Sequence, residues 1–215
     1  LGRDYLSRLM YGARVSLVIG AGAALISGLI GGAMGLAAGY FGGRVNTVIL
    51  WLVTVRLAMP IVLVALAVVG VVGGSLQVMI LVIGFLLWDR FAVVIRSATM
   101  QVSSLDYVAA ARAAGCSTLR ILATEVLPNV LNPLIVVATL EMGHAILLEA
   151  ALSFLGLGVQ PPLPSWGLMI SEGKDYLLFK SWLITIPGTA LFALVLAINL
   201  VGDGVRDVTA PGELG

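Results

Sequence analysis

The stretch DYVAAARAAGCSTLRILATEVLP, residues 106–128, lies between apolar segments long enough to cross a bilayer but is not itself a span. Asp106, Arg112, Arg120 and Glu125 interrupt it. Asp106–Ala114 is alanine-rich, and Ala has the highest helix propensity. Ser103, with Asp106 three residues on, reads as a capping box at the helix start. Gly115 suits the helix C-terminus. Ser117 can cap a second short helix, with Pro128 near its end or at the start of the next span. The predicted motif is a helix–turn–helix. Ala109/Ala113 and Ala110/Ala114 are i,i+4 pairs that give the first helix a smooth face. Small side chains let a partner approach the backbone closely, and a short helix laid in a groove is a standard recognition mode. The competing reading is an amphipathic connector between spans.

Outward from this stretch the chain is a membrane protein. Its 215 residues are 60% hydrophobic and 11% charged, with mean hydropathy +1.10, whereas a soluble domain carries about 25% charged residues. A net charge of +1 carries no information about acidic partners or nucleic acid, and no nucleic-acid partner is expected. The single cysteine, Cys116, excludes an intramolecular disulfide framework. Five segments are apolar for about 20 residues, enough for a hydrocarbon core of roughly 30 Å. They are expected at about Val15–Ala38, Thr47–Val69, Leu76–Ile95, Val130–Leu152 and Leu183–Val201. The first carries GxxxG spacings at Gly28/Gly32, Gly31/Gly35 and Gly35/Gly39, a packing signal in lipid. Pro60 sits inside the second, where it is tolerated and kinks the helix. Residues 1–14 are amphipathic, with Leu1, Tyr5 and Leu9 on one face, and read as an interfacial helix. SFLGLGVQPPLPSWG, residues 153–167, reads as a loop with turns, and Ser171–Phe179 as a short amphipathic piece. The tail from Gly202 is polar.

Charges inside the spans are the candidate functional residues. Arg56 costs about 2.5–3.5 kcal/mol on insertion scales and must snorkel, pair or face water. Asp89 and Arg90 can neutralise each other or other charges. Glu141 and His144 are i,i+3 and share a helix side. A hydrogen-bonded structural pair, a lining position on a solute pathway, and metal handling or a proton relay are the three readings. Glu149 is open to the same readings. The only Gly-Lys, at Gly173-Lys174, lacks the surroundings of a phosphate-binding loop. One His and one Cys far apart make neither a zinc site nor a Cys/His dyad. No catalytic, metal or cofactor residues are therefore expected.

The loop at 106–128 resembles the cytoplasmic coupling loop of bacterial ABC-transporter permease subunits. Ala110, Ala111, Gly115 and Val126-Leu127-Pro128 match its Glu-Ala-Ala triplet, Gly and hydrophobic-Pro ending, with Ala109 where the triplet has Glu. EAALSFLGLGVQPPLPSWG (Glu149–Gly167) and NLVGDGVRD (Asn199–Asp207) look like the dipeptide, oligopeptide and nickel importers' second permease subunit. LGRDxxSRLxYGAR is similar to the segment after that subfamily's first span, which implies a further span before Leu1 and six in all. The chain departs from the subfamily at Trp51, Thr54 and Arg56, and in the uncharged Val102–Leu105.

The resemblance implies an all-α, polytopic transmembrane bundle of the type I ABC importer permease kind. The whole of 1–215 is one permease domain, with an interfacial segment at 1–14, a cytoplasmic coupling loop at 103–128 and an extracytoplasmic loop at 153–181. The expected function is ATP-driven import of peptides, with nickel or another small solute as the alternative. Asp106, Tyr107, Ala109, Ala110, Ala111, Arg112, Gly115, Leu127 and Pro128 would couple to the ATPase. Glu141, His144 and Glu149 are pathway or gating candidates. Implied partners are a homologous permease subunit, two ABC ATPase subunits that bind the ATP, an extracytoplasmic solute-binding protein and membrane lipid. The implied location is the bacterial inner membrane. Lys/Arg counting does not orient the chain. With the loop inside, Arg44, Arg96, Arg112, Arg120 and Arg206 fall inside and Arg3, Arg8, Arg14, Lys174 and Lys180 outside. A secondary transporter predicts internal repeats with paired broken helices, and no clear repeat is present. An intramembrane enzyme lacks its nucleophile–base constellation.

Overall fold

The apolar runs form helices along residues 4–209, which the computed structural model describes, and no strand occurs among them. In chain order they are α1 (Tyr5–Phe41), α2 (Gly43–Ala58), α3 (Ile61–Val72), α4 (Leu76–Leu86), α5 (Trp88–Ser103), α6 (Asp106–Ala113), α7 (Thr118–Ile121), α8 (Leu127–Phe154), α9 (Trp166–Gly173) and α10 (Trp182–Thr209). Among the described residues three continuous runs, Tyr5–Phe41, Thr118–Phe154 and Trp182–Val208, are long and apolar enough to cross a membrane. The number rises to five when the broken pairs α2–α3 and α4–α5 each count as one span.

The break between α2 and α3 has a local cause. Pro60 has no N–H, and Met59 before it is extended (ψ 125°), as the residue before a proline prefers. Ser75 caps α4 by accepting from Val78 N–H. Pro187 stays inside α10. The helical donor that its ring removes from the Leu183 carbonyl is replaced by Tyr5 OH, which donates to that oxygen at 3.0 Å.

Several predicted boundaries move. Residues 5–14 are the first turns of α1 rather than a separate interfacial helix, since nothing in Leu9–Val15 interrupts the backbone ladder. Leu1 and Arg3 of the predicted amphipathic motif, and the end of the polar tail from 210 on, lie outside the described residues. The third span is broken after Leu86. The short helix after residues 153–165 starts at Trp166, not Ser171, because Ser165 caps it by accepting from Leu168 N–H at 3.1 Å. A 3-10 turn, Lys174–Tyr176, follows it. The polar tail is helical to Thr209.

The chain packs as two compact units. One comprises residues 4–26, 60–87 and 140–200. Its core joins Ile19, Val69, Met79, Ile83 and Leu152, and a second cluster joins Ile146, Trp166, Met169 and Leu191. The start of α1 is tied down here. Trp166 Nε1 donates to Leu9 O at 2.8 Å. Arg8 pairs with Glu172 at 2.7 Å. A Cβ on Gly12 would come within 2.7 Å of the Trp166 ring.

The other unit comprises residues 27–59, 88–139 and 201–209. Here α1 and α5 pack backbone to backbone. A Cβ on Gly31 would lie 2.1 Å from Trp88 O, one on Gly35 2.7 Å from Ala92 O, and one on Gly39 2.7 Å from Arg96 O. These glycines of the predicted GxxxG spacings therefore make one seam. Gly32 faces Leu134 instead.

Candidate functional site

Residues 103–128 build the predicted helix–turn–helix with a different start and finish. Ser103 remains in the last turn of α5, and the N-cap of α6 is Leu105, without a side-chain cap. The capping box does not form, because Ser104 and Leu105 turn back onto the Gln101 and Val102 carbonyls. Asp106 in the first turn and Arg112 in the last instead complement the helix dipole.

The far end of α6 closes as the glycine predicts. Gly115 has φ 78°. Cys116 N–H bonds Ala111 O at 3.1 Å and Gly115 N–H bonds Arg112 O at 3.0 Å, the paired bonds of a Schellman motif. Ser117 then caps α7 by accepting from Arg120 N–H. The second helix is not separate, however. It runs through a π-helical turn, Leu122–Val126, into α8, so Pro128 is an early residue of the span helix. The π-helical turn ends two residues before Pro128, so the proline enters where the hydrogen-bond ladder has already shifted from its i→i−4 pattern.

One side of α6 faces the protein. Val108 is fully buried and Ala111 half-buried against Ile95, Ile121, Val126 and Val130. The Arg112 guanidinium stacks over the Tyr40 ring at 4.8 Å. Asp106, Tyr107, Ala109, Ala110 and Arg112 are exposed, as are Ala113 and Ala114. The structure thus brings these residues together on one outward surface of small side chains edged by charge. Leu127 and Pro128 are exposed on the first turn of α8.

The intramembrane polar groups form separate clusters. Arg56 pairs with Asp89 at 3.2 Å. Arg56 lies in the last turn of α2 and Asp89 in the first turn of α5, so each charge also sits at the helix end that favours it. Glu141, 1% exposed, meets His144 Nδ1 at 3.3 Å across the expected i,i+3 spacing, and the His144 side chain is 46% exposed. Glu149 is fully buried, and Ser153 Oγ donates to its Oε1 at 2.7 Å. Ser165 Oγ lies 3.4 Å from Ser153 Oγ, and either hydroxyl can donate in that contact. Ser165 in turn accepts from Leu168 N–H. The result is a buried hydroxyl cluster that links the start of α9 to the Glu149 carboxyl.

Sequence reasoning named Glu149 and missed Ser153 and Ser165. The i,i+4 spacing of Glu149 and Ser153 was available as a signal, but nothing in the sequence points to Ser165. Among the described residues no three His, Cys, Asp or Glu side chains come close enough to hold a metal ion.

Residues 31–213 match the family described as "Binding-protein-dependent transport system inner membrane component". The chain belongs to this family. It is 45% identical over 211 residues to the di/tripeptide transport system permease protein DppC of Pseudomonas aeruginosa, covering 98% of this chain and 70% of that protein. The dipeptide transport system permease proteins DppC of Escherichia coli and Haemophilus influenzae are 44% and 41% identical, again over 98% of this chain and covering 70% and 72% of theirs. In fold it is similar to a chain of the MetNI methionine ABC transporter in an inward-facing form. That likeness has TM-score 0.80 at 17% identity and covers 97% of this chain and 99% of that one. As a member of the family it is a multi-pass membrane protein with the all-α fold of ABC importer permeases.

Proposed function

We propose that this chain is a permease subunit of an ATP-driven ABC importer for short peptides. The reading is supported by identities of 41–45% to permeases named for dipeptides and di/tripeptides. A second permease subunit would complete the pathway in the bacterial inner membrane. Two ATPase subunits would bind and hydrolyse ATP, and an extracytoplasmic binding protein would deliver the peptide.

The observation that carries the mechanism is α6. It is held at one face by Val108 and Ala111, and its other face is a free surface of alanines. An eight-residue helix is too short to be stable alone, so packing must supply its stability. Asp106, Tyr107, Ala109, Ala110, Ala111, Arg112 and Gly115, with Leu127 and Pro128 beyond, are assigned to ATPase coupling. Closure of the ATPases would move α6, and α5 and α7–α8 on either side of it would follow as rigid elements in alternating access. Glu141, His144 and Glu149 are assigned to the pathway and its gating. Half-exposed His144 would be the solute-facing member, and the two buried carboxyls, both on α8, would fix the packing of that span.

Ala110→Arg tests the coupling assignment. Ala110 is exposed, so the change costs the permease itself no more than about 0.5 kcal/mol. The variant is expected to insert and to pair with the second permease subunit. It should lose the ATPase subunits on purification, or keep them without stimulation of hydrolysis by loaded binding protein. Normal transport with normal stimulation would reduce α6 to a connector.

A further inference from the structure

Between α9 and α10 the chain makes a small ordered protrusion that the transport reading leaves without a role. Lys180 N–H bonds Tyr176 O at 2.7 Å, Phe179 N–H bonds the same oxygen at 3.0 Å, and Leu183 N–H bonds Lys180 O at 3.0 Å. Its base is fixed on both sides. A Cβ on Gly173 would lie 2.8 Å from the Ile184 side chain, and the Trp182 ring meets Tyr5 edge to face at 5.1 Å. The tip is apolar: Leu178 is 90% and Phe179 88% exposed, and Tyr176, Leu177 and Trp182 are about half exposed.

We propose that this segment, residues 176–182, is a membrane anchor that seats Leu178 and Phe179 at the headgroup–acyl boundary of the bilayer. Three observations favour lipid over a protein partner. First, the protrusion runs directly into a span, and only 11% of the most apolar window of α10 is buried inside the chain. Leu178, Trp182 and Ile186, each exposed, continue from the tip onto that helix at four-residue spacing. Second, Tyr176 and Trp182 are the residue types enriched at a membrane–water interface, and Leu178 and Phe179 are types that enter its acyl boundary. Exposed Lys180 among them can lay its stem along the apolar boundary and reach lipid phosphates. Third, the acidic residues nearby sit at the base. Glu172 is engaged by Arg8 at 2.7 Å and Asp175 precedes the tip, so no carboxylate is carried into the apolar layer.

Photocrosslinking in the intact transporter, reconstituted in phosphatidylethanolamine–phosphatidylglycerol nanodiscs, decides the matter. A benzophenone side chain is placed at Leu178 or at Phe179. Phe192, 68% exposed within α10, serves as the lipid-facing reference and Asp175 as the water-facing one. Both tip positions are expected to gain the mass of a phospholipid with a yield like that at Phe192, and Asp175 to gain none. Adducts to the binding protein or to the second permease subunit would overturn the proposal in favour of a protein docking surface. Absence of any adduct at 178 and 179, with Phe192 labelled, would show a tip that stands in water. The two tip side chains touch little of this chain, so replacement at either is expected to leave its fold intact. Phe192 labelling in the same preparation checks that the spans are in the bilayer.

Discussion

Gly115 is where the coupling role proposed for residues 106–128 can be tested by backbone conformation alone. Its φ of 78° lies in the left-handed region, and a Cβ built there meets nothing within 4 Å. A substitution therefore introduces no clash inside the chain, and its cost is the conformational one. For an ordinary residue that cost is roughly 1–2 kcal/mol, while Asn adopts the left-handed conformation far more readily. Valine is worse than alanine, because branching at Cβ makes a positive φ a true outlier. The two Schellman bonds from Cys116 and Gly115 hold the end of α6, so strain at 115 is relieved by opening them and letting α6 re-aim. A penalty of about 1–2 kcal/mol changes the ratio of aimed to misaimed loop by a factor of about 5–30. The assay is ATP hydrolysis by the reconstituted transporter with and without peptide-loaded binding protein. Hydrogen exchange of the Ala109–Ala114 amides serves as the structural readout. Gly115→Asn should stay near the parent, Gly115→Ala should fall between, and Gly115→Val should lose most of the stimulation and of the amide protection. If Asn proves as harmful as Val, side-chain volume at a partner surface matters and the left-handed φ does not. If Val is as active as Gly, the angle between α6 and α7 carries no mechanical information.

The intramembrane clusters give further expectations. Asp89→Leu leaves Arg56 without this buried partner and should cost about 3–5 kcal/mol, whereas Arg56→Met with Asp89→Leu removes both charges and should recover most of it. Thermal unfolding of the solubilised complex reads this, and a double variant no better than the single one would contradict it. Glu149→Leu removes the acceptor that Ser153 uses in the buried hydroxyl cluster and should destabilise by about 1–3 kcal/mol. Glu149→Gln, which keeps an oxygen for Ser153, should cost less in the same melt, and equal losses would mean that the hydrogen bond is not what matters. His144→Ala should lower peptide uptake per assembled complex, while Glu141→Leu should lower the amount of complex recovered. The opposite pattern would make Glu141 the pathway residue.

What was legible in the sequence was local. The existence of apolar helices, the glycine at the end of α6, the Ser117 cap and the Glu141–His144 contact each depend on residues within a turn or two of one another, where propensity and spacing act directly. What was not legible depends on distant residues. The break between α4 and α5 has neither Pro nor Gly at Leu86–Asp89 to announce it. It is seen only where Asp89 reaches Arg56, 33 positions back. Ser103 and Ser171 both looked like helix starts. Ser103 lost that role because α5 runs on to it, and Ser171 because Ser165 had already capped the helix. Pro187 illustrates the limit best. A sequence reading says that a proline inside a membrane helix is tolerated if something replaces its missing donor. The replacement is Tyr5 OH on the Leu183 carbonyl, 178 residues away in the chain. The same tyrosine packs on Trp182, and Trp166 on α9 donates to Leu9 one turn further along α1. The first turns of α1, which read as an interfacial helix, are therefore the element that supplies the missing donor of α10 and ties down α9.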